Sequence, residues 1–356
     1  MKLNAITFNG VQKTNFDKSQ YSDSSLELQK YYNIESVARG DDNRIKIEFE
    51  EDNVIEFEFE DGTNWISVPD TMDDIFPELM TQVKRSTSGE NVFELPVEIS
   101  TESADRSLVG KVLLKAVKIF SKKVIAGEVK KLAENVENKQ LNGRIGLFSL
   151  SSDFQFQDFV PDNSPKPYLL LIHGTASSTT GSYGKAEGTD FMNYAREQYA
   201  GRILAFQHRT LTENPLQNLK DLVKALPNKC VIHLITTSRG GLVGELLSRF
   251  CNNMGVAGGF NNTELGILKK GYSKNYFAEI EKLIDEIRTI LKKKSIVIEK
   301  FIRIACPAGG TTLASKRLDY FFNITLNLIG LGTGLVANPV YMAFRSLTAA
   351  VIDSKN

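Results

Sequence analysis

The residues of this chain best suited to chemistry lie in the stretch CVIHLITTSRGGLVGELL, residues 230–247. An apolar, β-branched run leads to Ser238, and Gly240 opens a glycine-rich segment with helical spacing. A serine on a sharp strand-to-helix turn can act as a nucleophile when the residues two positions away are small enough to avoid the backbone. Gly240 meets this requirement, whereas Thr236 takes the place of the upstream glycine. Ser238 is therefore a candidate nucleophile, and a structural turn is the alternative.

A second stretch, YLLLIHGTASSTTGSYG, follows an apolar run with the tripeptide His-Gly-Thr at 173–175. An acyl-transfer site needs N–H groups that hold the oxyanion, one from the loop after a neighbouring strand and one from the residue after the nucleophile. Thr175 and Arg239 fit these two positions, with Gly174 beside them. A plain glycine- and serine-rich loop is the alternative. The other residues expected to line the site are His173, Thr237 and Gly240.

A serine hydroxyl is a weak nucleophile unless a base takes its proton. None of the three histidines follows Ser238. His208 comes directly after a predicted strand, and the ends of parallel strands line sites, so it is the internal candidate for the base. A structural histidine is the alternative, and His233, inside an apolar run, is expected in the core. Asp190 and Asp319 are candidate acids.

The spacing of histidines and cysteines indicates neither a metal site nor a disulfide framework. The three histidines are scattered, and the three cysteines lie far apart with no CxxC pair. We therefore expect no metal and no cofactor, and we expect the cysteines to be reduced thiols.

Short apolar runs alternate with helical patterns after the proline-rich stretch 161–167. Continuous apolar strands separated by helices are typical of a parallel sheet covered on both faces. The sequence therefore predicts an α/β domain over residues 161–356. The strands expected in it are YLLLI at 168–172, RILAF at 202–206, CVIHLI at 230–235 and FIRIAC at 301–306.

The first part of the chain has a different pattern. Apolar and charged residues alternate over 44–62, which predicts a β-hairpin, and further short runs extend a small β-rich module over residues 1–100. Residues 107–142 have apolar residues at helical spacing and no proline. They predict one or two helices, so we expect a helical connector over residues 101–160.

The stretches LLLIHGTASST, RILAFQHRTLTENPLQNLKDLVKALP, LITTSRGGLVGELLSR and FIRIACPAGGTTLASKRLD together resemble a lipase-like α/β-hydrolase, of the poorly characterised bacterial type with S-R-G-G-L-V at the nucleophile. The resemblance implies an α/β-hydrolase-like parallel sheet, Ser238 as nucleophile and the loop 173–175 as oxyanion hole. Members of this type often occur in multi-domain proteins beside protease-like modules, which implies a larger assembly and a protein partner.

The chain departs from the resembling family at two points. Thr237 replaces the histidine that is common before the nucleophile. The family's catalytic histidine comes after later strands, and no histidine follows Ser238 here. We therefore expect the domain at 161–356 to lack its last strands.

Charge and composition limit the partners. Lysine plus arginine and aspartate plus glutamate both number 43, so no net field attracts nucleic acid. The N-terminal segment lacks the apolar core of a secretory signal, which favours the cytoplasm. The uncharged tail 320–344 has Gly330 and Gly334 at G-x-x-x-G spacing. Lid helices over an acyl pocket, core helices without a function and membrane contact are the three interpretations of this tail.

Together, these patterns favour a serine hydrolase that acts on an ester or related acyl bond of an acyl or lipid-like molecule. A catalytically silent module that binds or scaffolds is the alternative, because no histidine follows Ser238. A membrane-associated effector is a second alternative, based on the tail alone.

Overall fold

The computed structural model describes residues 4–22, 25–35, 43–50, 52–69, 72, 84–85, 91–95, 97–100, 111–122, 129–162, 164–252, 259–307, 322–323, 325–327 and 338–353. The chain divides into two units, Met1–Val136 with Thr311–Asn356, and Glu137–Gly310. This division differs from the expected boundaries near 100 and 160, because the C-terminal segment belongs with the N-terminal sheet.

The first unit is built on a nine-stranded sheet. Its strands are β1 (Ala5–Gln12), β2 (Leu26–Ile34), β3 (Arg44–Glu48), β4 (Asn53–Phe59), β5 (Asn64–Ser67), β6 (Lys84–Arg85), β7 (Asn91–Glu94), β8 (Glu98–Ser100) and β9 (Lys111–Lys122). The order is β5-β4-β9-β2-β1-β7-β6, with β3 on β1 and β8 on β9. All pairings are antiparallel except β1 with β7. The expected β-rich module is thus present in part.

The helical connector predicted over 101–160 is wrong for much of its length. Residues 111–122 form β9, and a helix, α1, covers only Val129–Leu141. β9 pairs with β2 on one side and β4 on the other, and Ala116, Val117 and Phe120 are fully buried. A strand buried on both faces has a continuous apolar run, which periodicity alone cannot distinguish from a buried helix.

The predicted hairpin over 44–62 is also wrong. β3 pairs with β1, whereas β4 pairs with β5 and β9. The alternation in each strand does place apolar side chains on one face, since Ile47, Ile55 and Phe57 are buried in one core. Alternation identifies strands but does not choose their partners, because partners are set by contacts distant in sequence.

The edge of β5 is covered by two asparagines from the C-terminal tail. The N–H of Asn64 donates to Oδ1 of Asn327 at 2.7 Å, and Nδ2 of Asn327 donates to the Asn64 carbonyl at 3.0 Å. Asn323 makes the same two bonds with Ile66, at 2.7 and 3.0 Å. These amides satisfy strand groups that would otherwise offer an edge for aggregation. The described part of the tail therefore covers a sheet edge in the first unit, and Gly330 and Gly334 lie outside the described residues.

The second unit contains a six-stranded mixed sheet. Its strands are β10 (Gly146–Leu150), β11 (Phe156–Asp158), β12 (Tyr168–Ile172), β13 (Ile203–Gln207), β14 (Cys230–Thr237) and β15 (Ile296–Ile304), in the order β11-β10-β13-β12-β14-β15. β12 to β15 pair in parallel, whereas β10 pairs antiparallel with both β11 and β13. The expected α/β-hydrolase-like parallel sheet is therefore wrong. β10 and β11 have five and three residues, joined by a short turn instead of a crossover helix.

Helices pack against this second sheet. In addition to α1, the described helices are α2 (Thr179–Tyr183), α3 (Asp190–Gln198), α4 (Pro215–Ala225), α5 (Gly240–Asn252), α6 (Asn262–Gly271), α7 (Lys274–Leu291) and, in the first unit, α8 (Pro339–Asp353). One core joins apolar residues of α4, α5 and α7 with the sheet, and a second core joins residues of α2 and α3. None of the helices among the described residues is long and apolar enough to cross a membrane.

The C-terminal end of α4 is capped by a distant lysine. Nζ of Lys294 donates to the carbonyls of Val223 and Lys224, at 2.8 and 2.7 Å, and to that of Leu226. Carbonyls in the last turn of a helix have no intrahelical donor, and a cation there also interacts favourably with the helix dipole. Lys294 thus joins the end of α4 to the segment that leads into β15.

We predict that Lys294→Met lowers the free energy of unfolding by about 1–2 kcal/mol, because three carbonyls lose a charged donor. Urea denaturation measures the change. The neighbouring exposed Lys293→Met is the matched control and should stay within about 0.5 kcal/mol of the parent. Equal effects of the two substitutions would contradict the capping role.

Candidate functional site

Ser238 occupies the turn between β14 and α5. Its φ is 50°, a left-handed conformation that costs a non-glycine residue about 1–2 kcal/mol. Its N–H donates to the carbonyl of Ile304 at 2.9 Å, and its carbonyl accepts from the N–H of Gly241 at 2.9 Å. These bonds hold the strained turn in place, and they leave the half-buried side chain at the end of the strand.

Two glycines allow the neighbouring loop to approach this turn closely. A Cβ on Gly174 would lie 2.9 Å from the Cβ of Ser238, and a Cβ on Gly240 would lie 2.5 Å from the carbonyl oxygen of His173. Real Cβ atoms essentially never come so close, so both positions require glycine. The structure therefore brings the loop 173–175 and the serine turn together.

Tyr183, the last residue of α2, also holds the site in place. The hydroxyl of Tyr183 donates towards the carbonyls of Ile172 and Ile235, at 2.9 and 3.1 Å, and accepts from Oγ1 of Thr237 at 3.0 Å. Burial raises the pKa of Tyr183 well above its ordinary value. Tyr183 was not among the residues expected from the sequence, because nothing in the local pattern of α2 distinguishes it from a core aromatic.

Two backbone N–H groups adjoin Ser238 without an acceptor among the described residues. One belongs to Thr175, which follows Gly174, and the other to Arg239, which follows Ser238. The helix α5 starts at Gly240, so its N-terminal partial positive charge lies at the same place. Such an arrangement can hold an oxyanion or a carboxylate.

His173 fixes the peptide that carries one of these N–H groups. Its Nδ1 lies 3.0 Å from the carbonyl oxygen of Gly174, and its Nε2 lies 3.2 Å from the backbone N–H of His208. A carbonyl can only accept, so Nδ1 carries the proton and Nε2 accepts. Because a trans peptide points its C=O and N–H in opposite directions, the bond to Gly174 also orients the N–H of Thr175. Burial lowers the pKa of His173 to about 4, which keeps the ring neutral.

His208 packs against His173 and makes no hydrogen bond to Ser238 among the described residues. Its ring stacks on Phe206, with centroids 5.0 Å apart, and lies 4.2 Å from the ring of His173. Its Nδ1 faces the carbonyl of Phe206 at 3.3 Å, and its buried Nε2 has no partner among the described residues. Burial holds its pKa well below the ordinary value.

No described residue is hydrogen-bonded to the Ser238 hydroxyl. The expectation that His208 takes its proton therefore has no support in the geometry. The physical reason is that the His208 ring is buried against the rings of Phe206 and His173, whereas a base must lie within hydrogen-bond reach of the hydroxyl.

The side chain of Arg239 points away from the serine into a polar cluster. It donates to Oδ1 of Asn218 at 3.2 Å and to the carbonyl of Glu213 at 2.5 Å. Burial lowers its pKa to about 10. The guanidinium thus holds the loop before α4.

Glu137 of α1 holds the adjacent part of the same loop. Its carboxylate accepts from the N–H groups of Thr210 and Leu211 and from the hydroxyl of Thr212, and it lies 3.6 Å from Arg209. Glu137 has no signal in the sequence, because it lies more than 70 positions before its partners and its helix gives no sign of a buried carboxylate.

The remaining candidate residues lie elsewhere. His233 is buried in β14 between the hydroxyl of Tyr199 at 2.7 Å and the carboxylate of Glu299 at 3.1 Å. Asp190 is exposed at the start of α3, and Asp319 lies outside the described residues. Over the part of the chain that the structure describes, no three His, Cys, Asp or Glu side chains form a cluster that could hold a metal ion.

Comparison with known proteins gives one match. A family model described as a domain of unknown function (DUF7379) is similar to residues 146–255. No curated protein and no solved structure matches the chain. The matched region begins at β10 and extends past α5, so it includes both the serine turn and the loop that contacts it.

The neutral histidine pair predicts a pH-dependent stability. Unfolding exposes both rings, whose ordinary pKa is about 6.5, so the unfolded chain binds more protons than the folded chain as pH falls below that value. The free energy of unfolding should therefore fall between pH 6.5 and 5, with a slope that rises towards about 1.4 kcal/mol per pH unit for each histidine as the pH falls. Urea denaturation at several pH values measures this slope. In His173→Asn about half the slope should remain, and an unchanged slope would contradict the assignment.

Proposed function

We propose that the site at Ser238 hydrolyses an ester or a related acyl bond, with an acyl or lipid-like small molecule as substrate. The observation that carries this proposal is the position of the serine hydroxyl. Ser238 lies on a left-handed turn at the end of a strand, and its hydroxyl has no hydrogen-bond partner among the described residues. In the two adjoining segments, the N–H groups of Thr175 and Arg239 also have no acceptor there. The sequence resemblance to lipase-like hydrolases supports the same assignment.

The proposed reaction has two halves. Oγ of Ser238 attacks the carbonyl carbon, its proton passes to a base, and the resulting oxyanion accepts from the N–H groups of Thr175 and Arg239. The bond to the leaving alcohol then breaks, and the alcohol takes the proton. Water attacks the acyl-serine in the second half, which releases the carboxylic acid and restores the hydroxyl.

Proton removal is the step for which the described residues provide no group. Nε2 of His173 accepts from a backbone N–H, and Nε2 of His208 is buried without a partner among the described residues. We therefore propose that the base comes from outside the described residues or from a partner protein, and that this chain alone is a slow hydrolase. Oxyanion hole and binding by themselves leave a rate about 10³ to 10⁴ above water in a serine protease that lacks its triad.

A binding module without catalysis is the second candidate. The missing base favours it, because two N–H groups at a helix N-terminus can hold a carboxylate without any bond being broken. No observation favours the membrane-associated effector. We propose a cytoplasmic location for either function, since Cys230, Cys251 and Cys306 are all free thiols.

Labelling with a fluorophosphonate distinguishes these functions. We expect slow labelling of the 356-residue chain and slow turnover of a short-chain ester, both lost in Ser238→Ala. Ser248→Ala, a half-buried serine on the helix that follows the turn, is the matched control and should keep both. Labelling that persists in Ser238→Ala would rule out this nucleophile. An unlabelled parent that binds a short-chain carboxylate saturably would favour the binding module.

The close approach of Gly174 gives a second test. In Gly174→Ala the new methyl group must displace the serine or the loop, because it would lie 2.9 Å from the Cβ of Ser238. A displacement of about 1 Å at a reacting group can cost about a hundredfold in rate, so labelling should slow by at least tenfold. Gly266→Ala on α6, where nothing lies within 4 Å of the new carbon, should label at the parent rate.

A further inference from the structure

β15 is the outermost strand of the second sheet within the described residues, and it pairs only with β14. Three of its apolar side chains are exposed, namely Val297 at 47%, Ile302 at 55% and Ile304 at 47%. A long edge strand with exposed apolar residues is a template for pairing with another strand. This edge is therefore a candidate interaction surface.

A bulge at Glu299 makes β15 nearly symmetric about its centre. The pairing with β14 passes from Ile232–Ile298 directly to His233–Lys300, so Glu299 is an extra residue. An extra residue shifts the alternation of side chains by one position. As a result Val297 and Ile302 lie on one face of the sheet, and Ile298 and Phe301 lie on the other.

The backbone has the same symmetry. The carbonyls of Ile302 and Ile304 point towards β14, because they accept from Oγ1 of Thr236 at 3.5 Å and from the N–H of Ser238 at 2.9 Å. The backbone groups of Phe301 between them therefore point outward. Since the bulge shifts the alternation, those of Ile298 point outward as well.

We propose that β15 pairs antiparallel with β15 of a second copy of this chain, with the two-fold axis between Glu299 and Lys300. In this register Glu299 of each copy faces Lys300 of the other, and Val297 faces Ile302. Ile298 and Phe301 face each other as well, with both backbones directed towards the partner. The mixed sheet then continues across the axis.

Charge explains why a second copy is the partner. An exposed glutamate and lysine on an edge strand, together with a bulge, discourage pairing with unrelated strands. In the two-fold register the same residues form two opposite-charge pairs, so the features that exclude other strands admit a copy. Edge pairing alone buries less area than a standard interface, so we expect a dissociation constant between about 1 μM and 1 mM.

Sedimentation velocity of the 356-residue chain over this concentration range tests the proposal, with charge-reversal variants. Lys300→Glu places glutamates opposite glutamates, and Glu299→Lys places lysines opposite lysines. Each variant should dimerise at least about tenfold more weakly than the parent, since two attractive cross-strand pairs become repulsive. An equimolar mixture of the two variants should recover dimers, because every glutamate then faces a lysine. Lys269→Glu, an exposed charge reversal on α6, is the matched control.

The double variant Glu299→Lys with Lys300→Glu restores both pairs within one chain and should dimerise like the parent. The double variant also lacks the contact between Glu299 and His233. If it still dimerises like the parent, the weaker dimer of Glu299→Lys comes from charge repulsion and not from a folding defect. A parent that stays monomeric at every concentration would overturn the proposal. So would a dimer that is indifferent to the single reversals, or a mixture that recovers nothing.

Discussion

The serine turn depends on two glycines that lie close to it in space but far apart in the chain. Ser238 adopts a left-handed backbone, and Gly174 and Gly240 let the loop after β12 and the start of α5 close around it. Any side chain at either glycine would meet backbone or the serine within 3 Å. The strain of the turn is retained because bonds to Ile304 and Gly241 over-determine it. Strain held in this way keeps a hydroxyl at one place without tying it to a partner.

The histidines of the site have a role different from that of an acid or base. His173 and His208 form an uncharged pair with their rings tilted and 4.2 Å apart, and their hydrogen bonds lead from one loop to the next. Glu137 and Arg239 hold the far side of the second loop with charged groups. The loops are therefore held by groups inside the protein, and the Ser238 hydroxyl has no side-chain hydrogen-bond partner among the described residues. In the proposed function, the backbone N–H groups of the oxyanion hole stabilise negative charge, whereas no described side chain takes the serine proton.

Local patterns in the sequence located much of the second sheet. The apolar runs at 168–172, 202–206 and 230–235 do form strands, because each is short, β-branched or leucine-rich and bounded by turn residues. The antiparallel strands β10 and β11 were missed, since three to five residues give too little periodicity to detect. β9 was mistaken for a helix because it is buried on both faces. The serine turn and its glycines have a local signature, whereas Glu137 and Tyr183 act through contacts that depend on the completed fold.

The hydrogen bonds between the tail asparagines and β5 have a consequence for the order in which the protein is made. Asn323 and Asn327 join strand residues that leave the ribosome more than 250 residues earlier. The second unit, Glu137–Gly310, lies wholly between these partners in the chain, so it can form before the first unit is closed. Until the asparagines emerge, β5 presents an open edge to other nascent chains, and long-range closure of this kind is slow. During translation, β5 therefore has an unpaired edge that Asn323 and Asn327 cover in the folded protein.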